Sequence, residues 1–303
     1  MSAKRATVVG LGLCVIDHLY LVEAQDPRAE RQNYRDRRVS VGGMVTNALA
    51  QVARLGARAE LVTQLGDDPD GVRARRELRT LGIGTRSVQV SRAMPTTVAV
   101  VFVDPATGER RFLTAPRAKL EARVRGLDLA AIRPGRVLLV DGHFPSQLRR
   151  AARRARKHGV PVVGDLSDAR PAYVALLPYL DRPVLPEGFV RAWHRGTPSD
   201  AIRRLHDEFG AEAVVTQGSR GGLYWNDGRV ARYRSPRVTV RDTTGAGDAF
   251  HGAFAVGLAE GLPLADNVAR AARAGATACT RVGATAKLLG RSAWERVRAT
   301  ASR

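Results

Sequence analysis

Twenty residues in the last quarter of the chain concentrate groups able to do chemistry. From Asp242 to Gly261 they read DTTGAGDAFHGAFAVGLAEG. Gly245 and Gly247 allow the backbone to turn tightly and to approach a ligand closely. A helix is expected after Gly247, with Phe250 and Phe254 four residues apart on one side and Gly261 with Pro263 closing it. The amides of Ala246, Gly247 and Asp248 then lie at a helix N-terminus, where unpaired N–H groups and the dipole favour phosphate. A carboxylate at Asp248 stands within reach of whatever attacks that phosphate. It can accept the proton of a hydroxyl while the amides stabilise charge on the transferred group. The same Gly-x-Gly-Asp pattern also suits a plain helix cap, and in isolation capping is the commoner use of such an aspartate.

The elements that must hold this run can be read from the apolar pattern. Strand-like Arg237–Val240 leads into it. Apolar runs at Ala6–Leu13, Ala59–Leu65, Val137–Val140, Val160–Val163, Pro183–Leu185 and Ala213–Thr216 alternate with helical stretches such as Thr46–Leu55 and Asp70–Leu81, closed by Gly56 and Gly82. Such alternation predicts a mostly parallel sheet covered on both faces. Thr96–Val103 and Glu109–Thr114, flanking Asp104–Gly108, read as a β-hairpin, and Leu19–Val41 is extended and polar. Together these segments, roughly 18–41 and 96–115, are expected to form a small sheet acting as a lid that excludes water from a phosphoryl-transfer site.

Composition sets the bounds. A chain of 303 residues, 44% hydrophobic, can bury a substantial core and suits one large α/β domain or two small ones. Cys14 and Cys279 are far apart in apolar surroundings, which is neither a disulfide framework nor a metal cluster. Ala6–Val22 is largely apolar, but Asp17 and His18 interrupt it and no small-residue cleavage site follows. We read a buried strand and a turn there, no membrane span, and a cytoplasmic protein. The formal charge of +20 comes mostly from scattered arginines such as Arg149-Arg150 and Arg153-Arg154. With aromatics at 5% and no basic stripe interleaved with them, the charge does not point to nucleic acid as a partner.

A longer match decides between cap and catalyst. DTTGAGDAFHGA closely resembles the C-terminal signature of the ribokinase-like sugar kinases, the PfkB family. Gly42-Gly43-Met44-Val45-Thr46-Asn47, leading to AQVARLGA, resembles that family's second signature, and the likeness continues through TQLGDDPDG from Thr63, Thr216-Gln217-Gly218 and TRVGA from Thr280. It covers nearly the whole chain in order. The FHGA and TQGS wording looks most like the fructose-type branch, which includes ketohexokinase and sulfofructose kinase.

The resemblance implies a single ribokinase-like kinase domain over 1–303, a three-layer α/β/α fold with a mostly parallel central sheet and a small β-sheet lid. It implies an ATP-dependent sugar kinase, with a ketose or sugar derivative as acceptor, and ATP with Mg²⁺ as cofactors. Asp248 matches the catalytic base, and Gly245, Ala246 and Gly247 the anion hole. Asp17, Gly42, Gly43 and Asn47 match positions that hydrogen-bond the sugar; a carboxylate suits two neighbouring hydroxyls. Thr216, Gly218, Ser219 and Gly221 match the loop at the ATP phosphates, and Ala272 a wall of the adenine pocket. Asp242, Thr244, Ala278, Arg281 and Gly283 fall on positions that bind a monovalent cation such as K⁺ in many members, and the ammonium of Lys287, nearby, could replace that ion.

Two places depart from the family pattern. Leu185-Pro186-Glu187-Gly188-Phe189 stands where many members carry Asn-x-x-Glu, leaving Glu187 as the carboxylate expected to hold Mg²⁺ through water. His143, after the strand Val137–Val140, and Arg31, in the lid segment, are candidates to bind an anionic substituent on the substrate. Each also suits a solvated loop. A nucleoside kinase on the same scaffold and a non-catalytic sugar- or nucleotide-binding regulator are the alternative functions, and a homodimer pairing through the lid is open.

Overall fold

The protein is described by a computed structural model covering residues 5–22, 31, 33–104, 110–116, 121 and 123–297. Short hydrophobic runs build a ten-stranded main sheet. Its parallel part contains β1 (Thr7–Leu11), β4 (Arg58–Gly66), β5 (Ile83–Gly84), β6 (Val88–Ser91), β9 (Val137–Val140), β10 (Val162–Asp165), β11 (Arg182–Pro186) and β12 (Val214–Thr216). Two antiparallel strands, β13 (Gly222–Asn226) and β14 (Arg229–Tyr233), extend one edge. The spatial order is β14-β13-β12-β11-β10-β9-β1-β4-β5, with β6 pairing β4 beyond β5.

Side chains alternate across this sheet, so each strand feeds two cores. Val8, Leu139, Val163, Val184 and Val214 pack on one face, and Val9, Leu138, Val162, Leu185 and Val215 on the other. The first face is covered by α1 (Met44–Arg54), α2 (Pro69–Thr80), α6 (Ala246–Ala259) and α7 (Leu264–Ala278). The second is covered by α3 (Pro145–Lys157), α4 (Glu187–Trp193) and α5 (Pro198–Phe209). Burial on both faces explains why these strands read as unbroken apolar runs rather than alternating ones. The three-layer α/β/α arrangement expected from the sequence is therefore present.

A separate four-stranded sheet, in the order β3-β2-β7-β8, joins β2 (Val15–Val22), β3 (Tyr34–Gly42), β7 (Thr97–Val103) and β8 (Arg110–Thr114). β2 begins four residues after β1 ends, so this sheet grows from the carboxyl edge of the main one. Asp17 pairs with Ser40 on one side and Ala99 on the other, which places its side chain among neighbours held on both flanks. The polar stretch Leu19–Val41 thus contributes the end of β2 and most of β3, while residues 23–30 and 32 lie outside the described set.

One strand expectation fails. Arg237–Val240 forms no strand, although its alternation suits one. Pro236 lacks a donor for a ladder, and Arg237, Val238 and Val240 instead line a cleft described below. The helix expected after Gly247 starts earlier, at Ala246. Among the described residues no helix is long and apolar enough to cross a membrane.

Candidate active site

The polar ends of the parallel strands gather at one edge of the main sheet, the place where open α/β sheets bind ligands. Asp141 follows β9, Asp165 ends β10, Glu187 follows β11 and Thr216 ends β12. The glycine-rich turn reaches this edge from the other side. Gly245 caps α6 with φ 73°, a left-handed backbone, and a Cβ there would come within 2.7 Å of the Ala284 carbonyl. Glycine is therefore required for the turn to pass the 283–284 loop. The next residues, Ala246 and Gly247, open the helix; neither amide has a partner within it, and that of Ala246 donates back to the Thr243 carbonyl at 3.2 Å.

Asp248 sits in the first turn of α6. It is half-buried, and desolvation, reinforced by Asp165, pushes its carboxyl up to about 7. Asn47 opposes that rise: its amide donates to Asp248 Oδ2 over 2.8 Å. Asn47 is itself placed by the Gly42-Gly43 turn that starts α1, and α1 packs directly on α6, where a Cβ on Gly252 would lie 2.1 Å from the Ala48 carbonyl. A carboxyl titrating near neutrality, partly open to solvent, is suited to take up a proton.

On the small-sheet side, burial pushes the Asp17 carboxyl up to about 6. Gly42 lies so close that a Cβ there would be 1.9 Å from Asp17 Oδ2. Gly43 takes φ 105° against the Leu13 carbonyl. Asp17, Gly42, Gly43 and Asn47 are thus brought together at the start of α1. His143 is buried beside Asp141, with Nδ1 3.0 Å from Oδ1. Asp141 is fixed in turn by the amides of Leu13 and His143. The next residue, Phe144, is a buried non-glycine residue at φ 58°, a strained conformation beside a polar cluster. Arg31 is exposed and adjoins residues outside the described set.

Next to the glycine-rich turn lies a cleft of about 630 Å³. All five residues expected at ATP line it: Thr216, Gly218, Ser219, Gly221 and Ala272, together with Ala246 and Gly247. Its remaining wall, not foreseen in the sequence, is largely apolar and includes Val238, Val240, Phe250 and Cys279. The size and lining suit a flat heterocycle whose polar tail points to the turn.

Three of the expected cation positions, Asp242, Thr244 and Gly283, are joined by hydrogen bonds. Asp242 is buried; its Oδ1 accepts from the amide and hydroxyl of Thr244 at 2.9 and 2.6 Å, and its Oδ2 from the Gly283 amide at 2.8 Å. Its carboxylate therefore laces the 242–244 and 281–283 loops together. Ala278 ends α7 nearby in sequence, while Arg281 and Lys287 are exposed. Glu187 is differently engaged. Its carboxylate accepts from Arg191, Gln217 and Arg220, and Arg191 foremost holds it below the usual carboxylate range. With two guanidinium groups on it, this carboxylate does not fit a magnesium-holding role as it stands. No group of three or more His, Cys, Asp or Glu among the described residues is arranged to hold a metal.

Sequence reasoning missed Asp141, Asp165 and His251. The first two had a visible signal, an aspartate closing an apolar strand run in VLLVD and PVVGD. His251 was within the quoted signature, three residues after Asp248 and hence on the same side of a helix.

A carboxyl raised towards neutrality stands beside a glycine-rich helix N-terminus at the edge of a doubly covered parallel sheet. The description "pfkB family carbohydrate kinase" matches residues 5–289, and the chain belongs to that family, whose members transfer phosphoryl groups to sugar hydroxyls. Among curated relatives, ribokinase of Schizosaccharomyces pombe is 28% identical over 265 residues, covering 82% of this chain and 83% of that protein. Fructokinase of Klebsiella pneumoniae is 29% identical over 272 residues, covering 82% and 88%. The solved ribokinase of Thermotoga maritima superposes with a TM-score of 0.81 at 26% identity, covering 96% of this chain and 98% of that one. The structure of Arabidopsis thaliana ribokinase complexed with ribose and ATP has the same fold, with a TM-score of 0.84 at 24% identity over 97% and 98%. The fold is thus ribokinase-like, as the resemblance implied.

Proposed function

We propose that the protein transfers the γ-phosphoryl group of ATP to a hydroxyl of a small sugar, a ketose or sugar derivative, with Asp248 as general base. One observation carries this reading. The Asp248 carboxyl stands where the anion-hole turn of the 630 Å³ cleft meets Asn47 from the Gly42–Gly43 side. The cleft takes the purine between Val238, Val240 and Ala272, and the triphosphate runs past Gly218 and Ser219 towards Ala246 and Gly247. The sugar lies against Asp17, Gly42 and Gly43 with one hydroxyl at Asp248; His143 and Arg31 are the groups for a further substituent on it.

The step follows from this placement. Asp248 takes the proton as the hydroxyl oxygen attacks phosphorus, and the amides of Gly245, Ala246 and Gly247 stabilise the charge on the transferring group. Magnesium enters as part of the MgATP substrate, since Glu187 is committed to arginines. The Asp242-laced loops support a K⁺ site made of backbone carbonyls from Thr244, Ala278, Arg281 and Gly283. The four-stranded sheet serves as the lid. Its edge strand β8 leaves Phe112 and Leu113 each 65% exposed, which supports pairing with a second copy, measurable by sedimentation.

ADP formation measured with a panel of ketoses, aldoses and nucleosides tests the reading. We expect turnover on sugars. Turnover confined to nucleosides, or none on any acceptor despite ATP binding, contradicts it.

A further inference from the structure

Behind Asp248 lies a buried pair that the transfer step does not use. His251, on the same side of α6, is 5% exposed and Asp165, at the end of β10, is 6% exposed. The His251 ring is wedged between two backbone oxygens: Nδ1 is 2.7 Å from the Gly247 carbonyl and Nε2 is 3.0 Å from the Val184 carbonyl. A carbonyl oxygen only accepts, so each ring nitrogen must donate, and a neutral imidazole has a single N–H. Asp165 Oδ2 lies 3.4 Å from Nδ1, and no hydrogen bond from the described residues reaches that oxygen.

We propose that His251 carries both ring protons, paired with Asp165, and acts as a positioning residue for the base. It ties the first turn of α6 to the middle of β11 through its two carbonyl contacts, and it cancels the Asp165 charge beside Asp248. Asp248 is then the carboxylate left free to act at neutral pH.

Burial disfavours charge on both members of the pair. It pushes Asp165 up to about 8, aided by Asp141, and lowers the basicity of His251. One proton held within the pair meets both tendencies. On the ring it satisfies the Gly247 and Val184 carbonyls, which a proton on Asp165 cannot do. The titratable groups around the ring are Asp248 on its own helix, Asp165 from β10, and Asp141 with His143 beyond the end of β9. Asp165 raises the Asp248 value and His251 lowers it, so loss of either partner unbalances the base in opposite directions.

The charge effect rests on Asp248 as the base; the protonation of the ring does not. Two measurements keep these apart. In ¹⁵N-histidine NMR of the wild-type chain at neutral pH, assigned through bonds, both ring nitrogens of His251 are expected to carry protons. A ring with one N–H overturns the proposal. In kcat/KM–pH profiles, His251→Gln is expected to move the acidic limb up by about one pH unit or more, Asp165→Asn to move it down, and the double variant to lie between them. A merely structural role lowers rates without moving the limb. Limbs that coincide with wild type in both single variants overturn the charge effect. A doubly protonated ring in a chain that turns over no sugar supports the pair and contradicts the proposed function instead.

Discussion

The side-chain amide of Asn47 donates to the carboxylate of Asp248 over 2.8 Å, joining residues 201 positions apart. One comes from the Gly42-Gly43 turn, proposed to receive the sugar, the other from the Gly245–Gly247 turn, proposed to receive phosphate. Their contact depends on α1 and α6 packing closely at Ala48 and Gly252. The donor also steadies the ionised form of a carboxyl that burial works against. Asn47→Ala should therefore lower kcat by about tenfold, the scale of a lost hydrogen bond to a charged group, and move the acidic limb of kcat/KM to higher pH. Steady-state rates across pH, with KM for ATP little changed, check this.

The wild-type pH dependence follows from the same carboxyl. As the proposed base, Asp248 must be ionised to accept a proton, and burial pushes its carboxyl up to about 7, so kcat/KM should fall as pH drops below neutrality. Stability runs the other way. The folded-state value lies above the ordinary 3.8, so the native state binds the proton more tightly than the unfolded chain. Stability from this group is full below 3.8 and is lost as pH rises through about 7. Asp248→Asn, which cannot ionise, should melt a few degrees higher than wild type at pH about 8, a difference that thermal unfolding at pH 5 should shrink.

Asp17 and Gly42 give a test confined to the sugar side. A methyl at position 42 must displace the Asp17 carboxylate, because it would lie 1.9 Å from Oδ2. Gly42→Ala should raise KM for the sugar by about tenfold or more, the scale of one misplaced hydrogen bond to a charged group, with KM for ATP unchanged. Initial rates at varied concentrations of each substrate separate the two.

The nucleotide side has its own test. Ala272 is 5% exposed and lines the cleft, so Ala272→Phe fills space assigned to the purine. Affinity for ATP should fall by about tenfold or more, on the scale of overpacking costs, while sugar binding measured without nucleotide is retained. Calorimetric titration of each ligand decides it.

Much of this arrangement was legible in the residue pattern. Val137–Val140 is a strand with the expected bounds, and Thr46–Leu55 and Asp70–Leu81 are helices shifted by one or two residues at their ends. Apolar runs and glycine stops determine such elements locally. Arg237–Val240 misled because alternation gives a strand only where a ladder partner and its donors exist, and Pro236 with the cleft wall removes both. The buried groups behind Asp248 were harder to foresee. Asp165 and His251 meet only because β10, β11 and α6 converge, and no local spacing links residues 86 positions apart across three elements. Glu187 shows the same limit: its arginine partners Arg191 and Arg220 come from its own helix and from a distant loop.

The most direct measurement of the central claim is turnover by Asp248→Asn beside wild type, with ATP binding measured in both. A general base contributes at least about 10²-fold, so ADP formation with the accepted sugar should fall by that factor or more while ATP still binds. Near-normal turnover in that variant contradicts the account.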